Sequence, residues 1–258
     1  MQPLAIILGV LVTVSSVNAA TLSDCDSTYA KRGLSSLQAG QCYQSLLSGT
    51  SLSAAEQKTI YTRAFIALSA TINDQPKTAA ERQAIDQGLS LLKEFAKGFS
   101  TTADFFYWRA CMMSFDVFQK DRDSIIPTNT FGVLGSIQDD LTAAIQRDQS
   151  IHFYGPLRVM GMMHTQMPAI IGGDKVFAEK MLKEAYSRAP VFSMNHLAYA
   201  KILDINSKTD LAMGVLKNLI QTPNETFNPY PDQPLLSLLP EVIKDKKAAA
   251  ELLQNISE

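Results

Sequence analysis

Apolar residues recur along this chain at intervals of three and four. Ile60, Ala64, Ala67 and Leu68 fall on one helical face, as do Ile85, Leu89, Leu92 and Ala96. The spacing returns at Ile137, Leu141, Ala144 and Ile145, at Ala212, Val215, Leu216 and Leu219, and at Ala249, Leu252, Leu253 and Ile256. A period near 3.6 predicts amphipathic helices. Two starts are marked by capping boxes, Ser53 with Glu56 and Thr78 with Glu81, in which hydroxyl and carboxylate each satisfy an orphan backbone N–H. Alternating β-branched runs are scarce. The pattern predicts about ten helices and no strand. The stretches 121–136 and 222–240 read as long crossing loops, and the second holds Pro223, Pro229, Pro231, Pro234 and Pro240.

The helices also repeat. Ala178, Leu182, Ala185 and Pro190 follow the small–large–small–Pro pattern of the second helix of a tetratricopeptide repeat. Thirty-four residues on stand Ala212, Leu216 and Leu219, with Pro223 near the expected end. Forty-one residues back stand Ile137, Leu141 and Ala144, an interval that fits with an insertion at "QMPAIIGG". The expected fold is all-α: antiparallel tetratricopeptide-like pairs in a single compact superhelical domain over 20–258, with the clearest repeats at 137–224.

Residues 4–13, "LAIILGVLVT", are apolar but too few to span a bilayer. Val17-Asn18-Ala19 follows as a cleavage-like site, so 1–19 reads as a signal peptide. This implies a secreted protein of the bacterial periplasm, with no membrane span after cleavage. No Cys follows the cut, so the lipoprotein signal is absent. A net charge of −2 without long charge runs gives nucleic acid no electrostatic footprint. Cys25 and Cys42 are disulfide candidates in an oxidising compartment. A straight helix would hold them about 25 Å apart, so a bridge needs a bend, for which Gly33 and Gly40 are available. Cys111 reads as a buried thiol.

Three stretches could carry chemistry. Gly172-Gly173-Asp174 resembles the start of a diguanylate cyclase GGDEF signature, but Lys175 and Val176 stand where Glu and Phe are needed. Its better reading is a helix stop followed by an N-cap for a helix over 175–188. Met160, Met163, His164 and Met167 share a helix face and could ligate Cu(I). A Met-rich packing stripe is the plainer reading, so no metal and no cofactor are expected. The stretch 104–118 holds Phe105, Phe106, Tyr107, Trp108, Phe115 and Phe118. It reads as a buried core helix, or as the lining of an apolar channel with Arg109 orienting an anionic head. No G-x-S-x-G, H-E-x-x-H or P-loop is present.

Tyr154, Gly155, Pro156, Arg158 and Gly161 form a Tyr-Gly-Pro-x-Arg-x-x-Gly-like element, by which the C-terminal half resembles the T-component family of TRAP transporters. Pro168 with Gly172, Gly173 and Asp174 matches the turn that follows, Ala189-Pro190 the helix end, and Pro240-Glu241 with Ala248 to Leu253 the final helix. The resemblance covers about 137–256. It implies helix pairs around a central channel, and a protein partner that is the solute receptor of a TRAP-type transporter. The ligand-channel candidates are Phe105, Phe106, Trp108, Arg109, Arg158, Met163 and His164. The expected function is a non-enzymatic helical-repeat scaffold that binds this partner and a small hydrophobic ligand. The alternative is an enzyme of unknown reaction with a site assembled between repeats.

Overall fold

A computed structural model describes residues 20–32, 34–48, 51–72, 78–121, 130–228, 230 and 236–257. The expected signal peptide lies outside them. Every long element is a helix: α1 (Leu22–Ala30), α2 (Leu34–Leu46), α3 (Ala54–Thr71), α4 (Ala79–Phe99), α5 (Ala103–Asp121), α6 (Thr130–Asp148), α7 (Ile151–Gln166), α8 (Lys175–Arg188), α9 (Ser193–Ile205), α10 (Thr209–Gln221) and α11 (Leu239–Asn255). Short 3-10 turns occupy Ala169–Ile171 and Asn224–Phe227. Among the described residues there is no strand, and no helix is long and apolar enough to cross a membrane. The all-α expectation is met, and the helices pack mainly on their neighbours in sequence within one domain.

The caps form as the sequence requires. Ser53 and Glu56 close a reciprocal box at α3, and Thr78 and Glu81 close one at α4. Thr21 and Asp24 add a third at α1. Asp174 Oδ1 accepts from the N–H groups of Val176 and Phe177, both at 2.9 Å, and starts α8. Gly172 is left-handed at φ 93°. A Cβ on Gly173 would lie 1.9 Å from the Met167 carbonyl oxygen, so only glycine fits there. Gly-Gly-Asp is therefore a stop and a start between helices.

Two expectations need correction. The stretch 121–136 is not loop throughout, because α6 begins at Thr130. Its glycines 132 and 135 carry no conformational requirement and are accommodated in the exposed first turns. The rest of that stretch, 122–129, lies outside the described residues. Gly40 does not bend the chain. It sits inside α2, where a Cβ would press on Leu68 at 2.6 Å. The break comes at Lys31 and Arg32, the latter at φ 57°. It brings the Cα atoms of Cys25 and Cys42 to 5.5 Å in a disulfide that ties α1 to α2.

The nine positions aligned by the repeat are all buried. Ala178, Leu182, Ala185, Ala212, Leu216, Leu219, Ile137, Leu141 and Ala144 are each at most 1% exposed. One apolar cluster runs through α1 to α7. Two smaller ones join α8 to α10 and α9 to α11. Small residues allow the closest approach. A Cβ on Gly161 of α7 would fall 2.6 Å from Leu182 Cγ of α8. α5 lies in the core: Phe105, Tyr107 and Trp108 are nearly fully buried, and Trp108 stacks on Phe65 at 5.3 Å.

Arg32 fastens the end of the chain to its beginning. Its Nε and Nη2 donate to Glu241 at 2.7 and 3.2 Å, Nη2 also donates to the Ser237 carbonyl at 2.6 Å, and Nη1 to the Tyr29 carbonyl at 2.8 Å. The guanidinium also lies over the Tyr29 ring at 3.8 Å. A forked Arg–carboxylate contact of this kind is geometrically specific.

Two stability measurements follow. Removing the disulfide as Cys25→Ala/Cys42→Ala should cost about 3 kcal/mol in denaturant unfolding, the chain-entropy value for a loop of this length. Gly161→Val should cost roughly 1–3 kcal/mol, because α7 and α8 have no room for the added carbons. A variant with an unchanged unfolding midpoint would contradict that contact.

Candidate functional site

The site begins with a backbone irregularity. His152, Phe153 and Tyr154 all adopt left-handed conformations, at φ 50°, 58° and 59°. Each such non-glycine residue costs about 1–2 kcal/mol. Three in a row persist only where the surroundings hold them. After this break a regular helix starts at Gly155. Pro156 then sits in a first turn, where its missing N–H costs nothing. Gly155 is required on packing grounds, since a Cβ there would lie 2.9 Å from the Tyr107 ring.

The break turns successive side chains to different sides. His152 turns into the core. It stacks on Tyr107 at 4.8 Å and meets Trp108 edge-on at 4.8 Å. Its Nε2 lies 3.3 Å from Asp104 Oδ1, near enough for charge attraction though not aligned as a hydrogen bond. Lys58 Nζ holds the other Asp104 oxygen at 2.8 Å. Burial pushes the Asp104 carboxyl up, but the His152 and Lys58 contacts outweigh it and hold the group at about 2.

Phe153 turns the other way. It stacks on Phe192 at 5.0 Å and meets Tyr230 edge-on at 5.7 Å. All three rings are partly exposed. The Phe153 carbonyl accepts from Arg158 Nη1 and Asn195 Nδ2, both at 3.2 Å. Arg158 is 5% exposed. It also donates to Asn195 Oδ1 at 2.9 Å, and its guanidinium lies over Phe192 at 4.5 Å. Asn195, fully buried, donates further to the Ala185 and Ala189 carbonyls at 3.0 and 3.2 Å. It thereby adds a second donor to carbonyls that already accept backbone N–H groups, Ala185 from Ala189 and Ala189 from Phe192.

A buried carboxyl completes the site. Ser193 Oγ donates to Asp245 Oδ2 at 2.5 Å, and both residues are buried. Burial pushes the Asp245 carboxyl up to about 6, while the Ser193 hydrogen bond and the charges of Lys244 and Arg158 pull it down. Tyr230, Phe153 and Phe192 thus form a run of rings, and the buried Arg158 guanidinium lies over Phe192 at its end.

The residues expected to line a channel are divided by the structure. Arg158 is at the site. Phe105 and Trp108 belong to the aromatic core, where Trp108 meets His152 edge-on. Phe106 is half-buried beneath Arg147 and Arg109, at 4.3 and 5.4 Å. Arg109 is 40% exposed and grips Asp140 of α6 with Nε at 2.6 Å and with Nη2. Its anion is thus supplied by this chain. Met163 is buried in the main apolar cluster, and His164 is buried edge-on to Phe177.

Several site residues were missed by sequence reading: Phe153, Phe192, Tyr230, Asn195, Ser193 and Asp245. Asp245 was detectable. It stands with Val242 and Ala249 at helical spacing, a carboxylate on a buried face. Asp104 and His152 gave no sign, because their contact joins two distant helices.

A hydrolytic reading would look for a nucleophile beside His152. Cys111 is the nearest thiol by way of Tyr107. Burial pushes it up to about 12, so it stays protonated and inert. A solvent-open groove lined by Gln44, Gln83, Asp86, Gln87 and Ser90 lies elsewhere, on α2 and α4.

The pH dependence can be assigned a sign. Asp245 binds its proton more tightly folded, at about 6, than its ordinary value of 3.8. Above pH 6 the fold therefore carries the full cost of the buried charge. As pH falls from 6 toward 4, that cost is relieved by about 3 kcal/mol. Asp245→Asn should therefore be more stable than the natural protein at pH 7, with the difference shrinking toward pH 4. Parallel urea-unfolding curves across that range would contradict a buried ionised Asp245. Among known proteins, no family model matches the chain and no curated protein matches it.

Proposed function

We propose that the protein is a non-enzymatic helical-repeat scaffold of the bacterial periplasm. It binds a partner protein and holds a small apolar or aromatic ligand at the inner wall of Phe153, Phe192 and Tyr230. The observation that carries this reading is the run of rings Tyr230, Phe153 and Phe192, with the Arg158 guanidinium over the last of them. The strained turn that places Phe153 there also packs His152 on Tyr107 and Trp108. An apolar wall with one fixed cation suits a ligand with a hydrophobic body and a polar or anionic end.

The other parts of the reading have separate support. The Cys25–Cys42 disulfide suits an oxidising compartment. Burial of the nine repeat-aligned residues suits stacked helix pairs of tetratricopeptide type. For the partner, Ile170 and Val176 are 93% and 79% exposed on either side of Gly172 and Gly173. Large apolar side chains exposed in this way suit contact with another protein. The resemblance to T-components makes that partner the solute receptor of a TRAP-type transporter.

A second reading, an enzyme, is favoured by the His152–Asp104 pair. It lacks a nucleophile or a second carboxylate near that pair among the described side chains.

The test is capture from periplasmic extract on the immobilised mature protein, with mass spectrometry of bound proteins and small molecules. Ile170→Asp/Val176→Asp should lose the protein partner and keep the small molecule. Phe192→Ala should do the reverse. Capture of neither, or equal capture by all three proteins, would overturn the assignment of these surfaces.

A further inference from the structure

The inner wall leaves His164 unexplained. This histidine is 5% exposed on α7, and neither Nδ1 nor Nε2 finds a hydrogen-bond partner among the described residues. Buried polar atoms are nearly always satisfied, so an imidazole with two idle nitrogens points to a ligand. Packing accounts for its ring, which meets Phe177 edge-on at 4.9 Å, but not for its nitrogens.

The groups around it share one chemistry. Met160 is one helical turn before His164 and Met167 one turn after it, with Met163 beside them. The Met167 N–H still bonds to the Met163 carbonyl at 3.0 Å, so helical spacing holds to that point. Met160 and Met163 are buried at 2% and 9% exposure. Met167, Phe177 and Met181 pack half-buried on the same apolar cluster, Met181 one turn beyond Phe177 on α8. Among the described residues no group of three His, Cys, Asp or Glu side chains gathers anywhere, so harder metals have no evident site. Neutral thioether and imidazole ligands suit a soft cation. They bring no charge to offset a divalent ion in an apolar place, so a monovalent one is favoured.

We propose that His164, with the thioethers of Met160 and Met167, forms a buried site for a soft monovalent metal ion, Cu(I). The neighbouring methionines 163 and 181 shield it. This function is independent of the ligand wall at Phe153 and Phe192.

The test titrates the purified protein with Cu(I), kept reduced by ascorbate, against a chromophoric Cu(I) chelator, with Ag(I) and Zn(II) in parallel. The protein should withdraw one equivalent of Cu(I), bind Ag(I) likewise and leave Zn(II) in solution. X-ray absorption of the Cu(I) form should show nitrogen and sulfur neighbours together. His164→Leu, and separately Met160→Leu/Met167→Leu, should each weaken uptake roughly tenfold or more, while Met213→Leu on α10 should not. Leucine keeps methionine's volume, and circular dichroism checks that the helices remain. Ag(I) should raise the melting temperature of the natural protein but not of the His164 variant. Absence of stoichiometric uptake, a metal shell without sulfur, or equal uptake by His164→Leu would each overturn the site. The absorption spectrum decides the matter even if a variant fails to fold.

Discussion

The carbonyl of Phe153 accepts two hydrogen bonds, from Arg158 and from Asn195, and much of this molecule is arranged around that contact. The turn presenting this carbonyl contains three left-handed residues whose combined cost is several kcal/mol. Two buried donors aimed at the carbonyl help offset it. The donors are in turn fixed: Asn195 by the end of α8, Arg158 by Asn195 and the face of Phe192. Loss of either donor leaves the other buried and under-satisfied, which is costlier than the bond itself. Asn195 joins three elements in this way, while His152 and Tyr107 secure the turn from its other side.

Charge is distributed unequally around this centre. On the core side Asp104 remains ionised down to about 2, because Lys58 and His152 face it. On the inner side Asp245 is drawn up to about 6, because burial dominates and a single hydroxyl is its close partner. The two carboxyls give opposite contributions to acid stability. Asp104 strengthens the fold above its ordinary value of 3.8 and loses that contribution as pH falls toward 2. Asp245 weakens the fold above about 6 and ceases to do so as it takes its proton. Asp245 is the group placed to loosen α11 from α9 near neutral pH, while Arg32 holds the start of α11 to α1 through Glu241.

Much of the fold was legible in the chain. The 3.6 period located the helices, the Ser–Glu and Thr–Glu boxes marked two of their starts, and Gly172-Gly173-Asp174 marked the boundary before α8. These features rest on interactions within a few residues, so a linear pattern carries them. Burial of the nine small and large positions was legible for the same reason, since each is set by its own helix face. The early part of α6 was misread, because glycines on an exposed turn resemble a loop until the helix is seen to continue through them. Gly40 was misread as a bend, when its small size serves contact with Leu68.

The candidate site was mostly illegible. Its pairs join residues far apart in the chain, as Arg158 with Asn195, His152 with Asp104 and Ser193 with Asp245. Aromatic density in sequence pointed to α5, but those rings went to the core, since a helix apolar nearly all round is buried on every side. The sequence by itself determined the helices, their caps, many of their buried faces and the residues able to form a disulfide, through local hydrogen bonding and periodic burial. Only the tertiary structure decided which polar groups would be buried together, which carboxyl would be starved of partners, and which aromatic rings would remain on an open wall. Those outcomes depend on helix–helix registry, and registry is fixed when distant faces pack.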